Sequence, residues 1–512
     1  MRSSPSAGYV LLVLAGCAIA APGFQLRPVG TRVPVSELRL HDGDLRAFVV
    51  DEIEHHRDAD AYFALDLLKT RPFAMLQLGG ARGTEDLRDL RPRVGKLRSD
   101  NKRRGIVIAN RPDRLPGPEL AHHAYWDHVA LFERRLGALA QNTPGLPYSF
   151  ASRRVYGVSS IEESFLVFSA DEVFLSFVVY GERVYGFAIA GHRLVVRALP
   201  WPAHRIRQVL DHLLQQIREL SDPASVEWRT DAAELYDAVL GPFAPELHDP
   251  HVRALFVSPD QFLANLPFAL LLAPDGRDQT SRLPIVERLR ITYLPSVSVY
   301  RQLLERPILN EPPRVLAVAN ARYPPDVVAL PFAEREAVTV AELFSDSTLL
   351  IGAAATEARI TALAPRYNIL HFATHGLLLE HIAPGASSLL VTADAEHDGF
   401  LNAAEIASLD LSHTYVAVLS ACDTAATAEQ LDAADPGSLI NAFLGAGAPS
   451  AIGSLWQVGD QVTTLLMLGF YRRFLEVGAA EALRQAMLDV RTDPRFAHPF
   501  FWAAFVLYGW DK

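Results

Sequence analysis

Only two cysteines, four methionines and four lysines occur among the 512 residues. Two cysteines cannot supply the framework of a disulfide-stapled domain. Beyond the N-terminus no segment reaches the roughly 18 apolar residues of a membrane span, so none is expected to cross a bilayer. Lysine is confined to Lys69, Lys96, Lys102 and Lys512, and the net charge is −11. No basic patch is interleaved with aromatic residues, which argues against nucleic acid as a partner. No clean repeat of about 34 residues runs through the first part of the chain, so helical-repeat arms are not legible there. What the chain does have is length for two or three domains and an apolar half from which to build their cores.

The two cysteines stand in informative places. Cys17 lies in "VLLVLAGCAIAAPGF", after Arg2 and a compact apolar run from Tyr9 to Leu14. That run is too short to span a bilayer and reads as a signal segment. Leu14-Ala15-Gly16-Cys17 matches the bacterial lipobox, in which the cysteine is lipidated and becomes the first mature residue. Ordinary cleavage at Ala18-Ile19-Ala20 and a plain apolar N-terminus are the alternatives. The lipobox reading predicts an exported protein, periplasmic or at the cell surface, held to a bacterial membrane by its lipid. Cys422 is then a lone thiol in an oxidising compartment, which points to a reactive role.

Residues 1–16 are thus read as signal peptide and 17–150 as a region of uncertain fold. Within the latter, "LRLHDGDLRAFVV" and "RRGIVIAN" suggest strands, and a helix is expected over Glu119 to Gly137. From 151 to 223 the pattern predicts a β-meander followed by a helix. The text "FLVFSADEVFLSFVVYGERVYGFAIAGHRLVVRAL" is strand and turn in alternation. After it, Ile206, Val209, Leu210, Leu213, Leu214 and Ile217 fall on one helical face, and Ser221-Asp222-Pro223 closes the segment.

Residues 224–512 alternate between short apolar runs and helical patterns. "VRALFVSP", "RVLAVAN", "YNILHFAT", "TYVAVLSA" and "PSAIGSLW" read as strands buried on both faces. Between them, one helix starts near Pro331 and carries Val340, Ala341 and Phe344. Another has Thr356 as its N-cap with Ile360 and Leu363 inside. A third has Asp435 as cap, Pro436 in its first turn and Gly447 past its end. The alternation predicts an α/β fold with a mostly parallel sheet flanked by helices.

In such sheets functional groups gather at the carboxyl ends of strands. Two strand ends carry reactive residues: "ILHFATHG" ends His375-Gly376, and "YVAVLSACDT" reaches Cys422. A thiol has an unperturbed pKa of about 8.5 and needs a base or a nearby cation to become thiolate near neutrality. A histidine supplies that and later protonates the leaving amine. The N–H groups of Gly376 and Cys422 are candidates for an oxyanion hole. The separation of 47 residues is close to the roughly 50 between histidine and cysteine in caspases. A metal shared by His371 and His375 fails on geometry, because four strand residues span about 13 Å. No metal or other cofactor is expected, and His371 reads as a buried histidine bonded to backbone. Trp456 reads as wall or core.

"HFATHG" and "LSACDTA" resemble the two signatures of the CHAT family, relatives of caspases and separases. "LFVSPDQFLANLPFALL", "ITYLPSVSVY", "LPFAEREAVTVAELF", "LINAFLGAGAPSAIGSLWQVGD" and "HPFFWAAFVLYGW" are similar to further blocks of that family, in the same order. The resemblance runs from Phe165 to Trp510 and is specific from Val252 onward. It implies a caspase-like α/β sandwich and a cysteine endopeptidase with His375 and Cys422 as catalytic dyad, acting on a protein or peptide substrate. A non-catalytic scaffold on the same fold, and an amidase acting on cell-wall peptides, are the alternatives.

Asp460, in "GSLWQVGDQ", is similar to the separase aspartate that receives a substrate arginine. A carboxylate takes a guanidinium through two parallel hydrogen bonds, which would favour cleavage after arginine or lysine. A plain turn aspartate is the other reading of Asp460, and Asp423 is a second candidate for shaping the pocket.

Overall fold

A computed structural model of the chain describes residues 42–70 except 60, 63 and 67. It also describes 164–511 except 166, 221, 276–280, 305–310, 324–329, 378–386, 421–438 and 459. The expected strand "RRGIVIAN", the expected helix over Glu119 to Gly137 and the Asp435-Pro436 helix start lie outside the described residues.

The first described element corrects the sequence reading. "LRAFVV" belongs to a helix, α1 (Asp42–Glu54), and not to a strand. Its β-branched content suggested extended chain. Among the side chains it buries, Arg46, Val49, Val50 and Glu52, the spacings of three and four residues are those of a helix. Residues 58–70 are helical wherever they are described.

The meander is present: β1 (Glu172–Tyr180), β2 (Arg183–Ala190) and β3 (Arg193–Ala198) pair antiparallel in sequence. It does not stand apart, because β1 also pairs in parallel with β4 (Ala254–Ser258). α2 (Ala203–Arg218) buries Ile206, Leu210, Leu213, Leu214 and Ile217, the face its spacing predicts. Each such side chain contributes about 1.5–3 kcal/mol on burial.

The remaining strands follow in order. A short hairpin, β5 (Leu272–Pro274) and β6 (Arg282–Pro284), precedes β7 (Arg290–Tyr293). Then come β8 (Arg314–Ala321), β9 (Asp346–Gly352) and β10 (Ile369–Ala373). A small second sheet holds β11 (Gly376–Leu377), β12 (Ser388–Leu390) and β13 (Phe400–Asn402). The main sheet resumes with β14 (Val416–Leu419), β15 (Ser450–Ser454) and β16 (Phe505–Gly509). Its eleven strands run β3-β2-β1-β4-β7-β16-β15-β14-β10-β8-β9.

Two parallel halves meet at an antiparallel seam. β1, β4, β7 and β16 are parallel to one another. β15, β14, β10, β8 and β9 are also mutually parallel. β15 and β16 run antiparallel. The carboxyl ends of the second half therefore share one edge of the sheet, and those of the first half share the opposite edge. The seam is tight: Gly509 has φ +97, and a Cβ there would stand 2.2 Å from the Pro449 carbonyl oxygen, so only glycine fits.

Helices cover both faces. α3 (Val297–Leu304) packs Val297 and Tyr300 with Val49, Tyr62, Leu65, Phe174 and Phe256 on one face of the first half. In the second half, α4 (Pro331–Ala341) and α5 (Glu357–Leu363) follow β8 and β9, with the Thr356 side chain capping α5 at Arg359 N as expected. α6 (Ala403–Ala407) follows β13, and α7 (Leu439–Ala446) is entirely buried and stops before Gly447. α8 (Asp460–Val477) and α9 (Ala479–Thr492) follow toward the C-terminus. On β10, His371 meets α4 and α8 while Phe372 packs its ring, tilted, against Phe443 of α7. Neighbouring residues of one strand thus face opposite helical layers. The sheet lies in one compact unit, Asp44–Lys512.

Candidate active site

β10 and β14 are direct neighbours, paired in parallel from Ile369↔Val416 through Phe372↔Leu419. His375 stands two residues past the end of β10, half-buried. Cys422 and Asp423 lie outside the described residues, as does Cys17.

Three groups hold the histidine end. Tyr323, just past β8, sets its ring edge-on to the His375 imidazole, centroids 4.8 Å apart. The Tyr323 hydroxyl lies 2.9 Å from Thr374 Oγ1, and that hydroxyl donates to the Leu390 carbonyl. The Leu390 N–H in turn donates to the His375 carbonyl at 2.9 Å. This last bond makes 375 and 390 the hydrogen-bonded pair. Gly376, one residue on and opposite Leu389, is then a non-bonded pair whose N–H is not part of the ladder. Gly376 can therefore direct its N–H away from β12, as an oxyanion donor must.

His371 is fully buried, and its partners are side chains and not the expected backbone. Its Nδ1 lies 3.2 Å from the Tyr471 hydroxyl, and its Nε2 faces Glu336 Oε1 at 3.3 Å without the alignment of a hydrogen bond. Burial, and secondarily the charge of Glu336, push the Tyr471 phenol well above its ordinary range. A phenol so held stays protonated and shares a hydrogen bond with Nδ1. His371 thus ties β10 to α4 and α8.

β15 runs parallel to β14, so the chain after Ser454 leaves from the same edge as His375. Trp456 on that stretch is core, its indole N–H donating to the Phe500 carbonyl at 3.0 Å. Asp460 is the first residue of α8, and its side chain lies outside the described residues.

Sequence reasoning missed Tyr323. The signal was present: β8 ends at the same edge as β10, and an aromatic follows in "ANARYPP". It also missed a polar cluster at the opposite edge, past β4. There Arg46 of α1 pairs through both guanidinium nitrogens with buried Asp260, which also accepts Val179 N at 2.7 Å. Lys69 Nζ sits 3.0 Å from Ser176 Oγ, Ser258 Oγ and the Pro259 carbonyl. Burial lowers the Lys69 pKa to about 7, against the pull of Asp260. Asp66 caps α3, accepting Val297 N at 2.9 Å.

A mostly parallel sheet between helical layers, with His375 and Gly376 at the end of a central strand, defines an α/β protein of caspase-like architecture. Residues 229–510 match the CHAT domain, more than half of the sequence, and the chain belongs to the CHAT domain family. It is similar to Tetratricopeptide repeat protein 28 of Homo sapiens, 28% identical over 295 residues that cover 48% of this chain and 11% of that protein. The Mus musculus protein of the same name is likewise 28% identical, with 12% of its length covered. The chain therefore spans little more than a tenth of these curated relatives. Among solved structures, the Saccharomyces cerevisiae separase–securin complex is 12% identical, with 88% of this chain and 33% of that chain covered and a TM-score of 0.49. The Arg-specific cysteine proteinase gingipain R is 10% identical, with 60% and 74% covered and a TM-score of 0.33.

Proposed function

We propose that the chain is a cysteine endopeptidase of the CHAT type. The observation that carries this is the strand register. His375 and Cys422 are 47 residues apart, and every pair of the β10–β14 ladder is offset by the same 47. A register carried on unchanged past the strand ends would set His375 level with the position of Cys422, which is why we read the two as a pair. Cys422 Sγ, its proton taken by His375, attacks the peptide carbonyl carbon. The N–H groups of Gly376 and Cys422 stabilise the oxyanion. His375 returns the proton to the leaving amine, and water hydrolyses the thioester.

Asp460, at the same edge, supplies the first specificity pocket in this reading and favours substrates with arginine, and less strongly lysine, before the cut. The test is a comparison of new protein N-termini in host cells carrying the wild type, Cys422→Ala or Asp460→Asn. New ends after arginine are expected with the wild type, none with Cys422→Ala, and at least tenfold fewer with Asp460→Asn. Identical ends in all three would leave the fold a scaffold. Ends confined to cell-wall peptides would make it an amidase.

The same reading has the mature protein begin at lipidated Cys17, exported and membrane-anchored. Among the described residues no helix is long and apolar enough to cross a membrane. Mass spectrometry of the N-terminal peptide should find diacylglyceryl-Cys17. A mature terminus at Ala21 would refute it.

A further inference from the structure

The β12–β13 hairpin carries a loop that peptide hydrolysis does not use. It reads Asp394-Ala-Glu-His-Asp-Gly-Phe-Leu-Asn-Ala-Ala-Glu405. Acidic residues stand at its first, third, fifth and twelfth positions and glycine at the sixth. This is the spacing of an oxygen-donor calcium loop, D-x-[DN]-x-[DN]-G-x₅-E, with glutamate for Asp/Asn at the third place. Gly399 has φ +81, and a Cβ there would stand 2.7 Å from the Val391 carbonyl oxygen, so the sharp turn requires glycine.

Ordinary local structure explains part of the pattern. Asn402 and Glu405 form a capping box on α6. Asp394 Oδ1 accepts from Glu396 N, His397 N and His397 Nδ1. Two oxygens remain outside this account. Asp394 Oδ2 is buried with no hydrogen-bond partner. Glu357, which opens α5 and belongs to neither hairpin strand, is 2% exposed, and its Oε2 likewise has no partner. The Glu357 carboxyl accepts the Gly399 N–H, so it lies over the loop. A buried carboxylate beside further carboxylates is costly unless a cation joins them.

We propose that the loop Asp394–Glu405, together with Glu357, binds a calcium ion. The donors are the carboxylates of Asp394, Glu396, Asp398, Glu405 and Glu357 and the Phe400 carbonyl. Among the described residues no three carboxylate or imidazole groups already meet at metal-binding distance. Closing the site takes a rotation of Glu405 away from the Asn402 N–H, which it now accepts at 3.0 Å. Hard, flexible oxygen sets of this kind suit calcium better than magnesium, which demands strict octahedral geometry and holds its water. The loop begins four residues after Leu390, whose N–H and carbonyl hold His375 and Thr374. Val391 and Thr392 are bonded to Gly399 and Ala355. A bound cation would therefore stiffen the hairpin that carries the histidine end.

The test is calorimetric titration of chelator-treated full-length protein with CaCl₂ and, separately, MgCl₂. One calcium per chain is expected, with magnesium binding at least tenfold weaker. Glu357→Gln and Asp398→Asn should each weaken calcium at least tenfold while leaving the circular dichroism unchanged. Hydrogen exchange across residues 390–400 should slow with calcium in the wild type and not in Asp398→Asn. Absence of binding at millimolar calcium, equal affinity for magnesium, or wild-type affinity in both variants would overturn the site. None of these results depends on peptidase activity.

Discussion

His375→Ala is expected to abolish peptide hydrolysis and to leave the chain folded. His375 is half-buried past a strand end, so its truncation opens no core cavity. The loss should reach about 10²–10⁴-fold, the usual contribution of a positioned acid–base group. Thiol alkylation separates this role from a structural one. With its base in place, Cys422 should react with an electrophile at a rate that levels off below the ordinary thiol pKa of about 8.5; in His375→Ala that plateau should move up toward it. Equal alkylation profiles in the two proteins, measured by mass spectrometry of the Cys422 peptide, would end the dyad. Cys422→Ala should lose both activity and label.

The second large effect lies at the opposite edge of the sheet. Arg46→Met should lower the unfolding free energy by about 3–5 kcal/mol, the cost of leaving one member of a buried ion pair alone. The side chains of Arg46 and Asp260 are 7% and 0% exposed, so water cannot take over. Asp260 keeps only the Val179 N–H among the contacts described above. The measurement is urea denaturation of the full chain, with Arg46→Met, Asp260→Asn and the double variant forming a cycle. A coupling below about 0.5 kcal/mol, the scale of independent sites, would show that the pair adds nothing.

That clasp also shows where reading the sequence stops. The central strands were legible because residues such as Val315–Ala319 and Ile369–Ala373 are buried on both faces, and continuous apolar runs announce this. α2 was legible because its buried residues keep a strict helical spacing. β9 was not, since "DSTLLIG" is an edge strand with four polar or glycine positions and little burial. α1 was misread because its buried stripe includes Arg46, a residue that pattern reasoning assigns to solvent. At the candidate site, the place of His375 and Gly376 at the end of a buried strand was legible from the apolar run before them. Tyr323 was not, because its contact with His375 exists only once β8 is known to pair with β10. His371 was seen to be buried, but its partners come from two helices far away in sequence and no local pattern names them.

The order of strands in the sheet differs from their order in the chain at one decisive point. β16, the last strand described, is the one that joins the two halves, lying between β7 and β15. During synthesis every other strand of the sheet can be present in sequence while β7 and β15 each still present a bare central edge, paired only to β4 and β14 on their other sides. Exposed strands of this kind recruit other strands. The nascent chain therefore passes through a period in which its most adhesive surfaces are its future middle. A ribosome that stalls before residue 505 releases a product in which neither half has its proper neighbour, and such fragments should depend on chaperones far more than the finished chain does.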